Sequence, residues 1–314
     1  MIVRRLLSII PLLIVVSFAV FCLELFLPGD PAANLAGDNA SPEQIEEIRQ
    51  ELQLDRPLPE RYWNWVTDAV QGDFGRSLYS NRSVGGEIAE RWVVTATLVG
   101  GSILVAVAVG VPFGIVAGTR RGRWPDRLAT VMSSLGVALP NFLLGIFLIL
   151  VFAIWLKVLP VAGYVSPGDS VVDWARHLIL PTLAISGLVF AELTRQLRSS
   201  MAETQEEDYT RTARAKGLPE STVVTKHSLR LAIAPAIAVL GVQAARLFGG
   251  AVIVEQIFSL PGLGQLTIDA ILSRDLPVLQ GIIPLAVLVA VVMTLLADLA
   301  RIWLNPQLRR RATA

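Results

Sequence analysis

Six long apolar segments constrain the fold of this chain more than any other feature. They comprise residues 9–27, 93–118, 131–156, 178–193, 232–254 and 282–304. A helix needs about 20 apolar residues to cross the hydrocarbon core of a bilayer, and lipid offers the backbone no hydrogen-bond partner. The segments therefore predict an all-α polytopic membrane protein with six transmembrane helices. Pro112, Pro140, Pro181 and Pro284 are expected near helix ends or at kinks.

The composition excludes several classes of function. Of the 314 residues only 17% are charged, and the net charge of +1 gives no basic field for nucleic acid, so we expect no nucleic-acid partner. Cys22 is the single cysteine, which excludes an internal disulfide and a cysteine-cluster metal site. His177 and His227 are the only histidines, so a histidine-rich zinc site is disfavoured as well.

The distribution of arginine and lysine predicts the orientation in the membrane. In a six-span arrangement the basic clusters all fall on one side: Arg4, Arg5, Arg120, Arg121, Arg123, Arg127, the segment 195–230, Arg309, Arg310 and Arg311. The segment 29–91, on the other side, holds twelve acidic residues against six arginines. Since basic residues mark the cytoplasmic side, both termini are predicted to be cytoplasmic. The first apolar run is longer than the core of a typical signal peptide, so it is expected to remain as a span.

The chain is predicted to have four parts. Residues 1–27 form the first transmembrane helix, 28–92 an extracytoplasmic helical segment, 93–304 a five-helix core and 305–314 a basic cytoplasmic tail. In the extracytoplasmic segment, Ser41, Pro42 and Gln44 have the spacing of a capping box that opens a helix over 43–52. A second short helix is predicted over 60–70.

The polar segment between spans four and five, residues 198–231, has a distinctive pattern. Residues 209–220 read Tyr-Thr-Arg-Thr-Ala-Arg-Ala-Lys-Gly-Leu-Pro-Glu. This predicts a short helix with small residues at Ala213 and Ala215, ended by Gly217 in a left-handed conformation and followed by Pro219, which cannot extend it. Taken alone, the pattern fits an ordinary helical hairpin between two spans.

The same segment resembles the EAA motif of permease subunits of ABC importers. Arg211, Thr212 and Ala213 stand where that motif has Glu-Ala-Ala, and Ala213, Gly217 and Leu229 match it. The departures resemble the B-type subunit of dipeptide and oligopeptide permeases, as do further motifs in the same order along the chain: residues 27–31, 54–59, 72–77, 139–141 and 255–264.

This resemblance implies a type I ABC importer permease fold and a set of partners. The expected partners are a second, C-type permease subunit, two ABC ATPase subunits, an extracytoplasmic peptide-binding protein and the lipid bilayer of the bacterial inner membrane. The chain lacks a Gly-x4-Gly-Lys-Ser/Thr phosphate loop, so it is expected to carry no cofactor and to leave ATP and Mg²⁺ to the ATPase subunits.

The resemblance also implies roles for two groups of residues. The ATPase-coupling residues would be Arg211, Thr212, Ala213, Arg214, Ala215, Lys216, Gly217 and Leu218. The outer gate would include Glu255, Pro261, Gly262 and Gly264, because a rigid turn at the outer mouth helps to close the path.

Two charges lie deep inside predicted spans. Glu192 is expected to pair with Arg195, three residues further along the same helix, rather than to serve the transport path. Arg246 has no such neighbour, and Gln243 is expected on the same face of the helix. Gln243 and Arg246 are candidates for the translocation path. The alternative for Arg246 is that it snorkels to the membrane surface or bonds to another helix.

The predicted function is therefore the permease subunit of an ATP-driven importer of dipeptides or oligopeptides, which is not itself an enzyme. Nickel, glutathione and oligosaccharide are alternative cargoes for the same architecture. An intramembrane protease or lipid transferase is the alternative from another class, but Ser102 and Ser186 have no histidine in their spans. A structural assembly factor is a third hypothesis, which ATP-dependent uptake by the purified complex would exclude.

Overall fold

The structure is a computed structural model, and it describes residues 2–26, 32–33, 41–51 and 54–304. The basic tail predicted for 305–314 lies outside these residues. The main described helices are α1 Ile2–Phe21, α2 Pro42–Glu51, α3 Leu58–Val70, α4 Val84–Thr119, α5 Trp124–Ala138, α6 Asn141–Leu148, α7 Val171–Glu206, α8 Asp208–Ala215, α9 Leu229–Ile257, α10 Leu263–Ser273 and α11 Leu276–Leu304. Short 3₁₀ and π-helical turns extend α1 and α6, and helical turns over Glu220–Thr222 and Val223–Ser228 lead into α9.

The described residues of the six predicted apolar segments lie on helices, except for Leu139, Pro140 and Leu156 of the third segment. Among the described residues, four helices are long and apolar enough to cross a membrane: Val84–Thr119, Val171–Glu206, Glu220–Ile257 and Leu276–Ala300. The first predicted span corresponds to α1, whose apolar part within the described chain, Ile9–Phe21, is shorter than these four helices.

The third predicted span is not one straight helix. Trp124–Ala138 and Asn141–Trp155 pass the length and apolarity test only together, and their axes differ by 105°. The break lies at Pro140, which has no N–H to donate and disfavours helical backbone in the residue before it. Leu139 accordingly has extended backbone, with φ −88° and ψ 119°.

The described residues divide into two compact units. The first unit comprises Val94–Gln265 and the chain from Val289 onward. Its core is built around α7, with Leu180, Ile185 and Val189 packed among Leu98 and Phe258.

Close helix packing in the first unit depends on glycines. Gly110, Gly114 and Gly118, spaced by four residues along α4, face α7. A Cβ on Gly118 would lie 2.5 Å from the Cβ of Met201, and one on Gly114 3.0 Å from that of Leu197. The two backbones therefore approach more closely than any larger residue allows, as is common between membrane helices.

The second unit comprises Ile2–Val93 and Leu266–Leu288. Tyr62 of α3 packs edge-on against Phe18 and Phe21 of α1, with ring centroids 5.1 and 5.6 Å apart, and its hydroxyl lies 2.9 Å from Ser17 Oγ. Tyr62 thus packs on the first predicted span.

The two helices predicted within residues 28–92 begin within two residues of their predicted starts. The Ser41 backbone N–H donates to Gln44 Oε1 at 2.9 Å, and the Gln44 N–H donates to Ser41 Oγ at 3.3 Å, which confirms the capping box. The helices run over Pro42–Glu51 and Leu58–Val70, within two residues of the predicted bounds.

Candidate functional site

The predicted coupling segment forms a helix directly after α7. Helix α8 begins at Asp208, two residues beyond the end of α7, and ends at Ala215. Gly217 has φ +74°, and the Leu218 N–H donates to the carbonyl oxygen of Ala213 at 3.4 Å. The left-handed conformation predicted for Gly217 is confirmed.

Arg214 fastens α8 to the elements on either side of it. Its guanidinium donates to both carboxylate oxygens of Glu220, at 3.1 and 2.8 Å, and to the carbonyl oxygen of Gln205 at 3.3 Å. It also donates to the side-chain oxygen of Gln205, whose amide nitrogen donates to Ser228 Oγ at 3.1 Å. The hydrogen bond with Glu220 raises the pKa of Arg214 above its usual value, so this cation is permanent.

Two small residues of α8, Thr210 and Ala213, pack against the rest of the chain. Thr210 is fully buried and donates from Oγ1 to the carbonyl oxygen of Thr204 at 2.8 Å, and Ala213 is also buried. Arg211, Thr212, Ala215, Lys216 and Leu218 are exposed. Of the predicted coupling residues, Ala213 and Arg214 thus hold α8 on its own chain. The others form a surface that is exposed in this chain.

The predicted outer-gate residues meet at a buried carboxylate. Glu255, near the end of α9, is fully buried, and its Oε2 accepts hydrogen bonds from the backbone N–H groups of Gly264 at 2.8 Å and Gln265 at 3.1 Å. Both donors lie in the first turn of α10. An acidic group at a helix N-terminus satisfies free N–H groups and complements the helix dipole. Glu255 therefore caps α10 from within the bundle.

Thr95 of α4 completes this cluster. Its hydroxyl donates to Glu255 Oε1 at 2.7 Å and accepts from the N–H of Leu263 at 2.8 Å. The two bonds tie α4, α9 and α10 together. We call Thr95, Glu255 and residues 261–265 the outer latch.

The glycines of the outer latch leave room for the carboxylate. A Cβ on Gly262 would lie 2.3 Å from Glu255 Cδ, and one on Gly264 would lie 2.5 Å from Val252 Cα and 2.8 Å from Glu255 Oε2. Pro261 is exposed, one residue before the contact begins. The structure thus brings Glu255, Gly262 and Gly264 together, a contact that was not predicted from the sequence.

The two candidate path residues, Arg246 and Gln243, differ in exposure. Arg246 is exposed, and within the described chain its guanidinium has no hydrogen-bond or ion-pair partner. Gln243 is only 1% exposed, with no hydrogen-bond partner for Nε2 among described residues. The two residues lie about 60° apart around the helix and are neighbours on one side of α9, but packing against other helices buries Gln243 and leaves Arg246 exposed.

Glu192 also differs from its expectation. No ion pair within 4.0 Å joins it to Arg195 in the described chain, so the predicted local pair is absent there. The neighbouring charge pair is instead Arg198 with Asp126, whose other oxygen accepts from the Gly122 N–H at 2.8 Å. No group of three or more histidine, cysteine or acidic residues among the described residues could hold a metal ion.

Helix α8 thus connects the spans α7 and α9, and Glu255 caps α10 beyond the other end of α9. The chain belongs to the family of binding-protein-dependent transport system inner membrane components: the family model matches residues 110–310, and a model of the N-terminal part of such components matches residues 1–99. It is thus an ABC importer permease subunit of the type I fold, a multi-pass inner-membrane protein and not an enzyme. Permeases of this class work with a partner permease, ATPases and a binding protein.

Individual relatives are similar over nearly the whole chain. The glutathione transport system permease protein GsiC of Shigella flexneri serotype 5b (strain 8401) is 43% identical over 308 residues, covering 98% of each chain. The protein of the same name from Escherichia coli (strain K12) is 43% identical over the same share.

Proposed function

We propose that this chain is the permease subunit of an importer of short peptides and that glutathione is among its cargoes. The observation that carries the proposal is the 43% identity, over 98% of each chain, to permeases named for glutathione transport. Glutathione is itself a tripeptide, so this cargo agrees with the peptide-permease motifs of residues 54–59, 72–77 and 255–264.

ATP-dependent uptake into vesicles tests the cargo. The full transporter, with its partner permease, ATPases and binding protein, is reconstituted and supplied with labelled glutathione. We expect uptake that requires hydrolysable ATP and that excess unlabelled glutathione abolishes. Competition by alanyl dipeptides and tripeptides measures the breadth of the peptide range. Uptake of nickel or an oligosaccharide, with none of glutathione or peptides, contradicts the proposal.

The exposed surface of α8 is the proposed docking site for an ATPase subunit. Its support is the anchoring through Arg214 and Thr210, because a helix fastened at several points passes on a push from a partner instead of bending. Arg211 and Lys216 offer positive charge to that partner. Crosslinking from a cysteine at Thr212, which is exposed, should reach an ATPase subunit, whereas a cysteine at exposed Leu104 should not.

The proposed topology places both termini and α8 in the cytoplasm. The test is a single cysteine at exposed Asp68, in a Cys22→Ser background, labelled with a reagent that cannot cross the membrane. Reaction from outside is expected at Asp68, with none at Thr212→Cys. Labelling of Asp68→Cys only after the membrane is broken rejects the orientation.

Arg246 is the proposed path residue of this chain. It is exposed on α9 in a chain whose partner permease forms the other half of the path, and a water-filled path removes most of the cost of a deep charge. The outer latch is the proposed outer gate, since it holds the turn between α9 and α10 closed on α4.

A further inference from the structure

A cavity of about 330 Å³ lies between α5 and α7 in the first unit. Arg195 and Arg198 of α7 line one side, and Thr130, Ser133 and Ser134 of α5 line the other, with small apolar residues of α5 between them. Its volume is at the lower end of the range for small-molecule sites.

The cavity carries one positive charge that no acidic residue of the described chain balances. The Arg198 Nε donates to Asp126, which is buried and is also held by the Gly122 N–H, so this guanidinium is neutralised and fixed. Arg195 is exposed and, within the described chain, has neither a hydrogen bond nor an ion pair. One free cation remains, with the terminal nitrogens of Arg198 beside it as further donors.

Ser133 supplies the second observation. It is 4% exposed, lines the cavity, and its Oγ has no hydrogen-bond partner among the described residues. A buried hydroxyl without a partner costs free energy that a ligand can recover. Guanidinium and hydroxyl donors converging on one cavity are the groups that bind a carboxylate.

We propose that this cavity binds a carboxylate of the cargo peptide on its way through the permease; the proposal rests on the peptide cargo proposed above. A lipid phosphate uses the same chemistry, but it would occupy the mouth of the cavity near Arg195. The lining of the cavity on α5 extends from Thr130 to Ala138, about 12 Å at 1.5 Å per residue. The Thr130 hydroxyl donates to the carbonyl oxygen of Asp126, so Ser133 and Ser134 are the hydroxyl residues of this lining that suit a carboxylate better than acyl chains.

Uptake of two matched cargoes by the reconstituted transporter tests the proposal. They are glutathione and its glycine amide, which lacks one carboxylate. Arg195→Gln should lower glutathione uptake about tenfold and amide uptake much less, so the ratio between the two cargoes moves toward one. Because the ratio is compared between variants, selection by the binding protein cancels. An unchanged ratio in Arg195→Gln overturns the proposal.

Two further variants serve as controls. Arg123→Gln removes an exposed arginine outside the cavity and should leave the ratio as in the wild type. Ser133→Ala removes the unpartnered hydroxyl without adding volume, so the ratio should move in the same direction as in Arg195→Gln, about threefold. A Ser133→Ala protein with the wild-type ratio and an Arg195→Gln protein with lowered uptake of both cargoes alike would show general damage and overturn the proposal.

Lipid composition separates the other occupant. Vesicles of phosphatidylcholine alone are compared with vesicles containing phosphatidylglycerol. Three results together would show that a lipid headgroup occupies the cavity and that the proposal is wrong. Anionic lipid would stimulate uptake by the wild type, Arg195→Gln would remove this stimulation, and the cargo ratio would stay constant. A cargo ratio that depends on Arg195 in both lipids supports it.

A cargo-independent measurement distinguishes this failure from failure of the proposed function. N-acetylglycine carries a single carboxylate, and N-acetylglycinamide is its neutral match. N-acetylglycine should raise the unfolding temperature of the purified transporter, the amide should not, and the shift should be lost in Arg195→Gln. A transporter that takes up no peptide but keeps this shift refutes the cargo and retains the carboxylate site. Absence of the shift in the wild type refutes the site.

Discussion

The turn at Gly217 in the predicted coupling segment and the outer latch both depend on glycine, for different reasons. Gly217 has φ +74°, and none of the described atoms would lie within 4 Å of a Cβ added to it. Gly262 needs no unusual backbone, but a Cβ there would overlap Glu255. The first glycine provides a conformation on an exposed loop, and the second provides space in a buried cluster. The exposed turn thus stays open around its glycine, whereas the turn that closes on its own chain fills the space beside its glycine.

The largest effect is expected from Gly262→Ala. The new Cβ would displace the Glu255 carboxylate from its hydrogen bonds with Thr95 and the first turn of α10, and leaving a buried charge unsatisfied costs on the order of 3–5 kcal/mol. We expect a large loss of assembled transporter and a lower unfolding temperature. Gly249→Ala is the matched control, since Gly249 is helical and has space around it among the described residues. Wild-type amounts of stable Gly262→Ala complex would contradict the structure of the latch.

A smaller effect is expected from Thr95→Val. The change keeps the volume but removes both hydrogen bonds of the hydroxyl, leaving the Leu263 N–H and one Glu255 oxygen without this partner at a cost of about 1–3 kcal/mol. The unfolding temperature should fall. Thr95→Ser, which keeps the hydroxyl, provides the comparison. Equal unfolding temperatures for Thr95→Val and Thr95→Ser would show that the hydrogen bonds of this hydroxyl add nothing to stability.

Gly217→Val should change stability little and transport strongly. A β-branched residue disfavours positive φ by about 1–3 kcal/mol, on an exposed loop that can shift to relieve the strain. The transporter should assemble and hydrolyse ATP, but the amount of cargo imported per ATP hydrolysed should fall. Gly217→Asn, whose side chain tolerates positive φ, should retain coupling. Full import per ATP by the valine variant would remove the loop from the coupling mechanism.

The smallest effect is expected from Arg246→Gln. Its guanidinium has no partner in the described chain, so the amount and stability of the complex should stay unchanged while uptake falls severalfold. Loss of assembly with normal uptake per surviving complex would show that Arg246 holds subunits together instead.

How far the sequence predicts each region follows from the range of its interactions. The turn at Gly217 and the capping box at Ser41 are local, so residue type and spacing are sufficient. The outer latch joins Glu255 to Thr95, 160 positions earlier, and nothing in the sequence distinguishes Thr95 from Thr97. Similarly, Gln243 and Arg246 are both polar residues in an apolar run, and only the packing of α9 against other helices decides which of them is buried.

The break at Pro140 has a consequence for hydration. Proline has no N–H, so the carbonyl oxygen of Gly136 cannot receive its usual helical hydrogen bond, and the first N–H groups of α6 face the same deficit. Acyl chains cannot solvate these groups. We therefore expect the bend to adjoin water or polar groups, and its backbone amides to exchange with deuterated solvent far sooner than those of the unbroken α4.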